Sequence, residues 1–359
     1  MSLLLYSFLG LVAVGLLWFA VEKRRRRIRP ITGGIDRSTT LPHTEAVELY
    51  SNSFSHCSRK VRLVLAELGI EAKHHSIDLI ETGWYQTISA EYLKVNPSGL
   101  VPTLVHQGHP VFESDDILTY AQSIADADAP QLVPADERRE AEMQEWLHFC
   151  AIVSADLMGG MKERAGACIP GLTMPLFITS IRYIPLRRIL VGFLFHHTVK
   201  SPTLFFTFKV LGLRRMMRVS KLRELVHASR DAMRTHLETI DRSLAEHGKP
   251  WILGESYSLA DVSISCMLLR LEETGWLRWF HASASLPHLS AYYDRLKARS
   301  AWKEAIEAHA HPIVTQARND LEQIVETDPE LAEVVYGPLT RSEAPGLDVP
   351  QQSAATASS

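Results

Sequence analysis

The run from Leu3 to Val21 contains no charged residue, and Arg24, Arg25, Arg26 and Arg27 follow within a few positions. At ~1.5 Å of rise per residue such a run, as a helix, covers the ~30 Å hydrocarbon core of a bilayer. Tyr6 and Trp18 stand near its two ends, where amphipathic rings favour the interface, and the arginines belong on the cytoplasmic side. A cleaved signal peptide would carry its positive charge before the apolar run and a small-residue cleavage site after it, and here the order is reversed. Residues 1–22 therefore read as an uncleaved transmembrane helix that keeps the folded part in the cytoplasm. Residues 23–44, with Pro30, Gly33, Gly34 and Pro42, read as a basic, flexible tether.

The remaining length of this 359-residue chain suits two folded domains plus appendages. A formal charge of −3 and a pI near 6.6 argue against nucleic acid as a partner, which calls for a basic domain or stripe. Four cysteines, at 57, 150, 168 and 266, are too widely spaced for a zinc site or a disulfide framework. No metal is expected, and a reducing compartment is.

Val47–Tyr50 (VELY) predicts a strand, SNSFSHCS a polar turn, and SRKVRLVLAELGI a helix. In that helix Val61, Leu65 and Leu68 form one face, Arg59, Arg62 and Glu67 largely occupy the other, and Gly69 closes it. A second strand is predicted within 72–79, and NPSGLVPTLVHQGHPVFESDDILTYAQS gives strand, turn, strand, helix. The order β-α-β, loop, β-β-α makes a mixed α/β layer structure. From about Ala135 the pattern is helical, and Ser258 with Asp261 forms an S-x-x-D capping pair. Residues 327–359 lose periodicity and are expected to form a disordered tail.

The segments SFSHCSRKVRL, NPSGLVPTL and FESDDIL resemble, in order and spacing, the N-terminal domain of glutathione transferases, and LPHLSAYYDRLKARSAW resembles their helical domain. The resemblance covers roughly residues 47–165 and 221–306. It implies an α/β thioredoxin-like N-terminal domain at 45–126 and an all-α C-terminal glutathione transferase domain at 135–312, with glutathione as the bound co-substrate. It further implies a cis Val101–Pro102 bond, with the backbone of Val101 pairing to the cysteinyl part of glutathione, and a Glu113–Ser114 pair holding the γ-glutamyl group. A helix N-terminus suits that carboxylate, although such a pair often only caps a helix. Asp115 and Asp116 would hold the tripeptide's amino group or only favour the helix dipole.

Ser55 occupies the serine position of the SSCS motif of zeta-class transferases, where the serine hydrogen-bonds the glutathione sulfur. Cys57 occupies the cysteine position of that motif and of the related tetrachlorohydroquinone reductive dehalogenase, where the cysteine forms a mixed disulfide with glutathione. A helix start with Arg59 and Lys60 beside it favours a reactive thiolate, while an inert buried cysteine is the plainer reading. His56 reads as a solvent-side residue and Tyr50 as structural.

The implied activity is attack of the glutathione thiolate on a small apolar electrophile, or thiol–disulfide exchange and reductive dehalogenation. The alternative is a non-catalytic membrane module that keeps the fold for lipid or protein contacts. Homodimers are usual for the family. Residues 165–223 depart from it: they hold no Asp or Glu, ten basic residues from Arg182 to Arg223, and apolar runs such as ILVGFLF. Either this insertion meets anionic lipid head groups or it packs as an elaborated pocket wall. Ganglioside-induced differentiation-associated proteins likewise combine the fold, a long insertion and an anchor, the anchor lying at the other end.

Overall fold

The computed structural model of the chain describes residues 2–152, 157–283 and 286–337. Helix α1 (Ser2–Arg25) comes first, followed by β1 (Gly34–Ile35), β2 (Val47–Ser51), α2 (His56–Glu67), β3 (Lys73–Ser76), α3 (Tyr92–Val95), β4 (Thr103–His106), β5 (His109–Phe112) and α4 (Ser114–Ile124). The helical part comprises α5 (Glu137–Cys150), α6 (Leu157–Gly160), α7 (Ile169–Ile181), α8 (Leu186–Phe195), α9 (Lys200–Met216) and α10 (Ser220–His247). It continues with α11 (Leu259–Glu273), α12 (Trp276–Ser283), α13 (Pro287–Lys297), α14 (Ser300–Ala305), α15 (Pro312–Thr327) and α16 (Pro329–Tyr336).

The five strands form one mixed sheet in the order β1-β5-β4-β2-β3, with only β2 and β3 parallel. This is the thioredoxin-like layer that the motifs implied, with one strand more. The extra strand is β1, which lies inside the segment expected to be a flexible tether. It pairs antiparallel with β5, Gly34 opposite Phe112 and Ile35 opposite Val111. Arg29 N–H donates to Pro97 O at 2.8 Å and Leu41 N–H to Gly108 O at 2.7 Å. The tether is thus strapped along the first domain, because its backbone finds partners on an otherwise open sheet edge.

A second correction concerns the C-terminus. Residues expected to begin a disordered tail form α16, capped by the Asp328 side chain, with Leu331, Val335 and Tyr336 buried. Apolar contact with α10 and α15 orders a segment whose composition alone would not, and residues 338–359 lie outside the described ones.

The helical domain is built around α11, whose residues Leu259 to Leu271 are all buried. Its start is the capping pair read from the sequence. Asp261 Oδ2 accepts from the Ser258 N–H at 2.8 Å, and Oδ1 accepts from the Ile252 N–H at 3.0 Å and the Tyr292 hydroxyl at 2.6 Å. Within the insertion, α7 is almost wholly buried and packs on α9, α10, α11 and α15, whereas the outer faces of α8 and α9 are exposed. Within the insertion, one helix is therefore core and two present exposed faces.

Candidate functional site

Sheet register assembles the candidate residues. In the β2–β4 ladder the last pair is Tyr50 with Thr103, so the turn after β2 faces Val101 and Pro102 just before β4. In the β4–β5 ladder Leu104 pairs with Val111, so two steps on Pro102 stands opposite Glu113. In the β1–β5 ladder Gly34 pairs with Phe112, which brings Gly33 opposite Glu113. Ser55, Cys57, Val101, Pro102, Glu113 and Ser114 thus share one end of the sheet, and the strap crosses beside them. A Cβ added at Gly33 would lie 2.0 Å from Asp116 Oδ2 and 3.2 Å from Glu113 Cγ, so only glycine passes at this distance with the acids where they are.

The turn 52–58 is organised by Asn52, which the sequence reading passed over. Its Oδ1 accepts from the N–H groups of Phe54 and Ser55 at 2.8 and 3.1 Å, and its Nδ2 donates to Ile77 O and Thr82 Oγ1 at 2.8 and 2.9 Å. The Asx-turn pattern N-x-x-S was the available signal. Ser55 is the N-cap of α2: its Oγ accepts from the Ser58 N–H at 3.2 Å. Its own hydroxyl proton meets no acceptor among the described residues, which leaves it free to donate outward.

Cys57 is partly exposed, whereas Cys150, Cys168 and Cys266 are buried, and burial pushes each of those three thiols up to about 12. Arg59 and Lys60, the cations beside Cys57, each also hold a carboxylate. Arg59 forms a bidentate pair with Glu273 at 2.7 and 2.7 Å, and Lys60, itself buried, pairs with Asp115 at 2.5 Å. Nor is the far face of α2 a solvent face. Arg59, Arg62 and Glu67 are all buried; Arg62 Nε donates to Ala305 O at 2.9 Å, and Glu67 takes a bidentate pair from Arg299 at 2.6 and 2.6 Å. Periodicity identified the two faces of this helix but could not say that the second one meets another domain.

His56 is a further correction. It is only 5% exposed rather than solvent-facing, and burial, with Lys60, Arg270 and Arg59 nearby, holds its imidazole well below the ordinary value, hence neutral. Arg270 donates to Phe54 O and lies 4.0 Å over the Phe54 ring, tying α11 to the turn. Tyr50 lies apart, stacked on His75 at 4.2 Å beside a separate cavity of about 520 Å³.

The Val101–Pro102 bond is cis, the isomer that the motif implied. Glu113 has φ 61° and ψ 125°, a left-handed conformation that costs of order 1–3 kcal/mol for a residue that is not glycine. As N-cap of α4 it makes no side-chain capping bond. The first-turn N–H groups of α4 therefore face outward uncapped at the positive end of the helix, an arrangement suited to a carboxylate. Asp115 is held by Lys60 rather than left for a ligand amine, whereas Asp116 is exposed beneath the strap. No group of His, Cys, Asp and Glu suited to a metal occurs among the described residues.

Residues 54–124 match the family model of the glutathione S-transferase N-terminal domain, and residues 223–295 that of its C-terminal domain. Tetrachloro-p-hydroquinone reductive dehalogenase of Sphingobium chlorophenolicum is 24% identical over 274 residues, 72% of this chain and 95% of the relative. A 2,5-dichlorohydroquinone reductive dechlorinase of Sphingobium indicum is 27% identical over 285 residues, 76% of each chain. Human ganglioside-induced differentiation-associated protein 1-like 1 is 22% identical over 285 residues, 73% of this chain and 74% of the relative. Among solved structures, the beta-etherase LigF of Sphingobium sp. strain SYK-6 superposes with a TM-score of 0.57 at 21% identity, covering 74% of this chain and 100% of the other, a likeness of fold. Both glutathione S-transferase domain models are thus matched in sequence order, on a two-domain fold of the same kind.

Proposed function

We propose that the chain is a membrane-anchored, glutathione-dependent enzyme whose glutathione thiolate attacks an apolar electrophile held by the helical domain. One observation carries this reading: Ser55, Cys57, the cis Val101–Pro102 bond and the uncapped α4 N-terminus at Glu113–Ser114 meet at one end of the sheet. The γ-glutamyl carboxylate would accept from the first-turn N–H groups of α4. The cysteinyl backbone would pair with Val101, which lies just outside the β2–β4 ladder. That places the thiol near the turn, where the Ser55 hydroxyl donates to the sulfur and favours the thiolate. In a substitution the sulfur forms a bond to carbon and the leaving group departs with the electron pair.

The hydroquinone dehalogenase and dechlorinase relatives favour a second step at Cys57. Its thiolate attacks the sulfur of a glutathionyl–substrate conjugate, forming a Cys57–glutathione disulfide, while the released substrate carbanion takes a proton. A second glutathione thiolate then regenerates Cys57 and leaves as glutathione disulfide. Helix α1 supports the anchor: Leu4–Arg25 is long and apolar enough to cross a bilayer, and none of its apolar window is buried in the protein.

Titration calorimetry of glutathione into the full chain in detergent micelles tests the reading. The full chain is required because a fragment begun near residue 40 would lose β1 and bare the β5 edge. Glu113→Ala should weaken binding about tenfold, the scale of one charge-assisted interaction at a helix terminus. Ser55→Ala should retain binding but lower thiolate absorbance of the bound tripeptide, and Cys57→Ser should block a glutathione-sensitive mixed disulfide detected by mass. A folded chain that binds no glutathione at millimolar concentration refutes the proposal and leaves the non-catalytic membrane module.

A further inference from the structure

The outer surface of the α8–α9 hairpin is apolar without being packed. Ile189 and Gly192 point inward, and Gly192 permits the close approach of Tyr85, whose hydroxyl oxygen would be 2.6 Å from an added Cβ. On the other side Leu186, Leu190, Phe193 and Leu194, spaced i, i+4, i+7 and i+8, form an exposed stripe. Val199, 68% exposed just before α9, and Phe206 and Val210 of that helix continue it. The rings of Phe193 and Phe206 meet at 6.2 Å, joining the two helices' stripes into one surface. A continuous exposed apolar surface of this kind, rimmed by polar groups, marks a contact site.

Two observations name the partner. The surface adjoins the base of α1: Trp18 and Phe19 lie 6.5 and 5.7 Å from the Phe195 ring at the end of α8, and the Arg26 guanidinium sits 4.3 Å over that ring. At the start of α8 a cavity of about 380 Å³ is lined by Trp84, Arg187, Arg188 and Val191. Arg188 lies 5.4 Å over Trp84 and donates to Gly83 O at 3.0 Å. Neither arginine has a carboxylate partner among the described residues, whereas Arg182 and Arg214 elsewhere in the insertion pair with Asp320, Asp328 and Glu330. Two arginines that share a cavity without a counter-charge, next to an apolar stripe, suit a phosphate carried on acyl chains.

We propose that the α8–α9 face docks in the bilayer interface beside α1, its apolar stripe among the acyl chains and Arg187 and Arg188 on the phosphate of an anionic phospholipid. The inference rests on the membrane reading of α1. It gives the protein a second membrane contact and fixes how the helical domain lies on the surface, as an interfacial helix pair does.

The test reconstitutes the full chain into vesicles of phosphatidylcholine, with or without phosphatidylglycerol, that carry a phospholipid with a photoreactive group on its acyl chain. Labelled residues are then mapped by mass spectrometry. The expected result is labelling of both α1 and residues 186–210, stronger at 186–210 when phosphatidylglycerol is present. The double variant Arg187→Gln/Arg188→Gln should reduce that anionic preference roughly tenfold or more, two basic contacts being lost. Phe193→Glu with Phe206→Glu, at exposed positions, should remove labelling of 186–210 and leave that of α1. Label on α1 with background label at 186–210 in both vesicles overturns the docking and spares the anchor. Absence of label on α1 overturns the membrane reading and the docking with it. Protection of 186–210 by cross-links between two copies of the chain overturns the docking in favour of self-association.

Discussion

Replacing Glu273 by glutamine should be among the most damaging conservative changes in this chain, because one carboxylate serves a cluster of buried cations. Its two oxygens accept from Arg59 at 2.7 Å each, and Arg270 stands 3.6 Å away. Arg59 and Arg270 are buried, as is Arg62, which donates only to neutral groups. Glutamine keeps the shape but leaves the guanidinium groups without counter-charge, and breaking a buried pair by removing one partner costs about 3–5 kcal/mol. For a chain of this size that corresponds to a fall in Tm of about 4–7 °C. The assay is thermal and urea unfolding of the full chain in micelles, followed by tryptophan fluorescence. Burial alone would raise the Glu273 carboxyl, but Arg59 and Arg270 outweigh it and hold it below the ordinary value of 4.5. A depressed acid gives stability that is complete above its unfolded value and disappears as pH falls through its folded one. Wild type should therefore lose this increment below about pH 4.5, and the glutamine variant should not. Adding Arg59→Met should cost less than the sum of the single changes, because the two residues form one pair. A loss under about 1 kcal/mol for Glu273→Gln, the scale of an exposed pair, would refute the claim that the domain interface excludes water here.

Two further perturbations probe the interior. An added Cβ at Gly166 would lie 2.3 Å from the carbonyl oxygens of both Cys150 and Ala151, backbone atoms that cannot swing aside, so Gly166→Ala should destabilise by about 3 kcal/mol in a urea titration. Burial pushes the half-buried Glu81 up to about 7, only partly countered by Arg270, so its ionisation opposes folding as pH rises from 4.5 to about 7. Glu81→Gln should accordingly raise the unfolding midpoint at pH 8 and leave it nearly unchanged at pH 4; a midpoint unchanged at both would refute this.

The first domain was legible because its signals are local. Turn residues, a helix-closing glycine and the VP pair each occupy a fixed offset from a strand, and together they mark the order of elements along the chain apart from β1. The candidate site came from the resemblance of three short motifs to a known family, and the residues of those motifs sit at strand ends and helix starts. What sequence could not give was long-range pairing. Arg59, Arg62 and Glu67 read as a polar face because nothing in α2 announces Glu273, more than two hundred positions later. The segment 28–44 read as a tether because two-residue β1 has no period to detect; only the free edge of β5 makes it a strand. Within 165–223, α7 and α8 both carry long apolar runs, that of α8 preceded by Arg187 and Arg188, and tertiary contact decides which helix is core and which surface.

The strap changes what the N-terminal segment can do. A flexible tether would let the folded domains tumble beneath the N-terminal helix, whereas here the connection is fixed at several places, among them Arg29 on Pro97, Gly34 and Ile35 on β5, and Leu41 on Gly108. Two of these flank the candidate site, since Pro97 opens the loop that leads to Pro102 and β5 runs into Glu113. Whatever holds α1 therefore also holds the rim of the candidate site at Glu113. Replacing residues 30–40 with a Gly/Ser segment of equal length should free β5, remove the contact of Gly33 with Glu113 and Asp116, and relax the strained φ of Glu113. On the proposed reading, glutathione affinity should then fall while α1 still partitions into vesicles. If calorimetry instead shows tighter binding, the strap covers the site and the membrane segment restrains it; unchanged affinity would mean that Glu113 owes its conformation to α4 and β5 alone, and the coupling between anchor and site would be refuted.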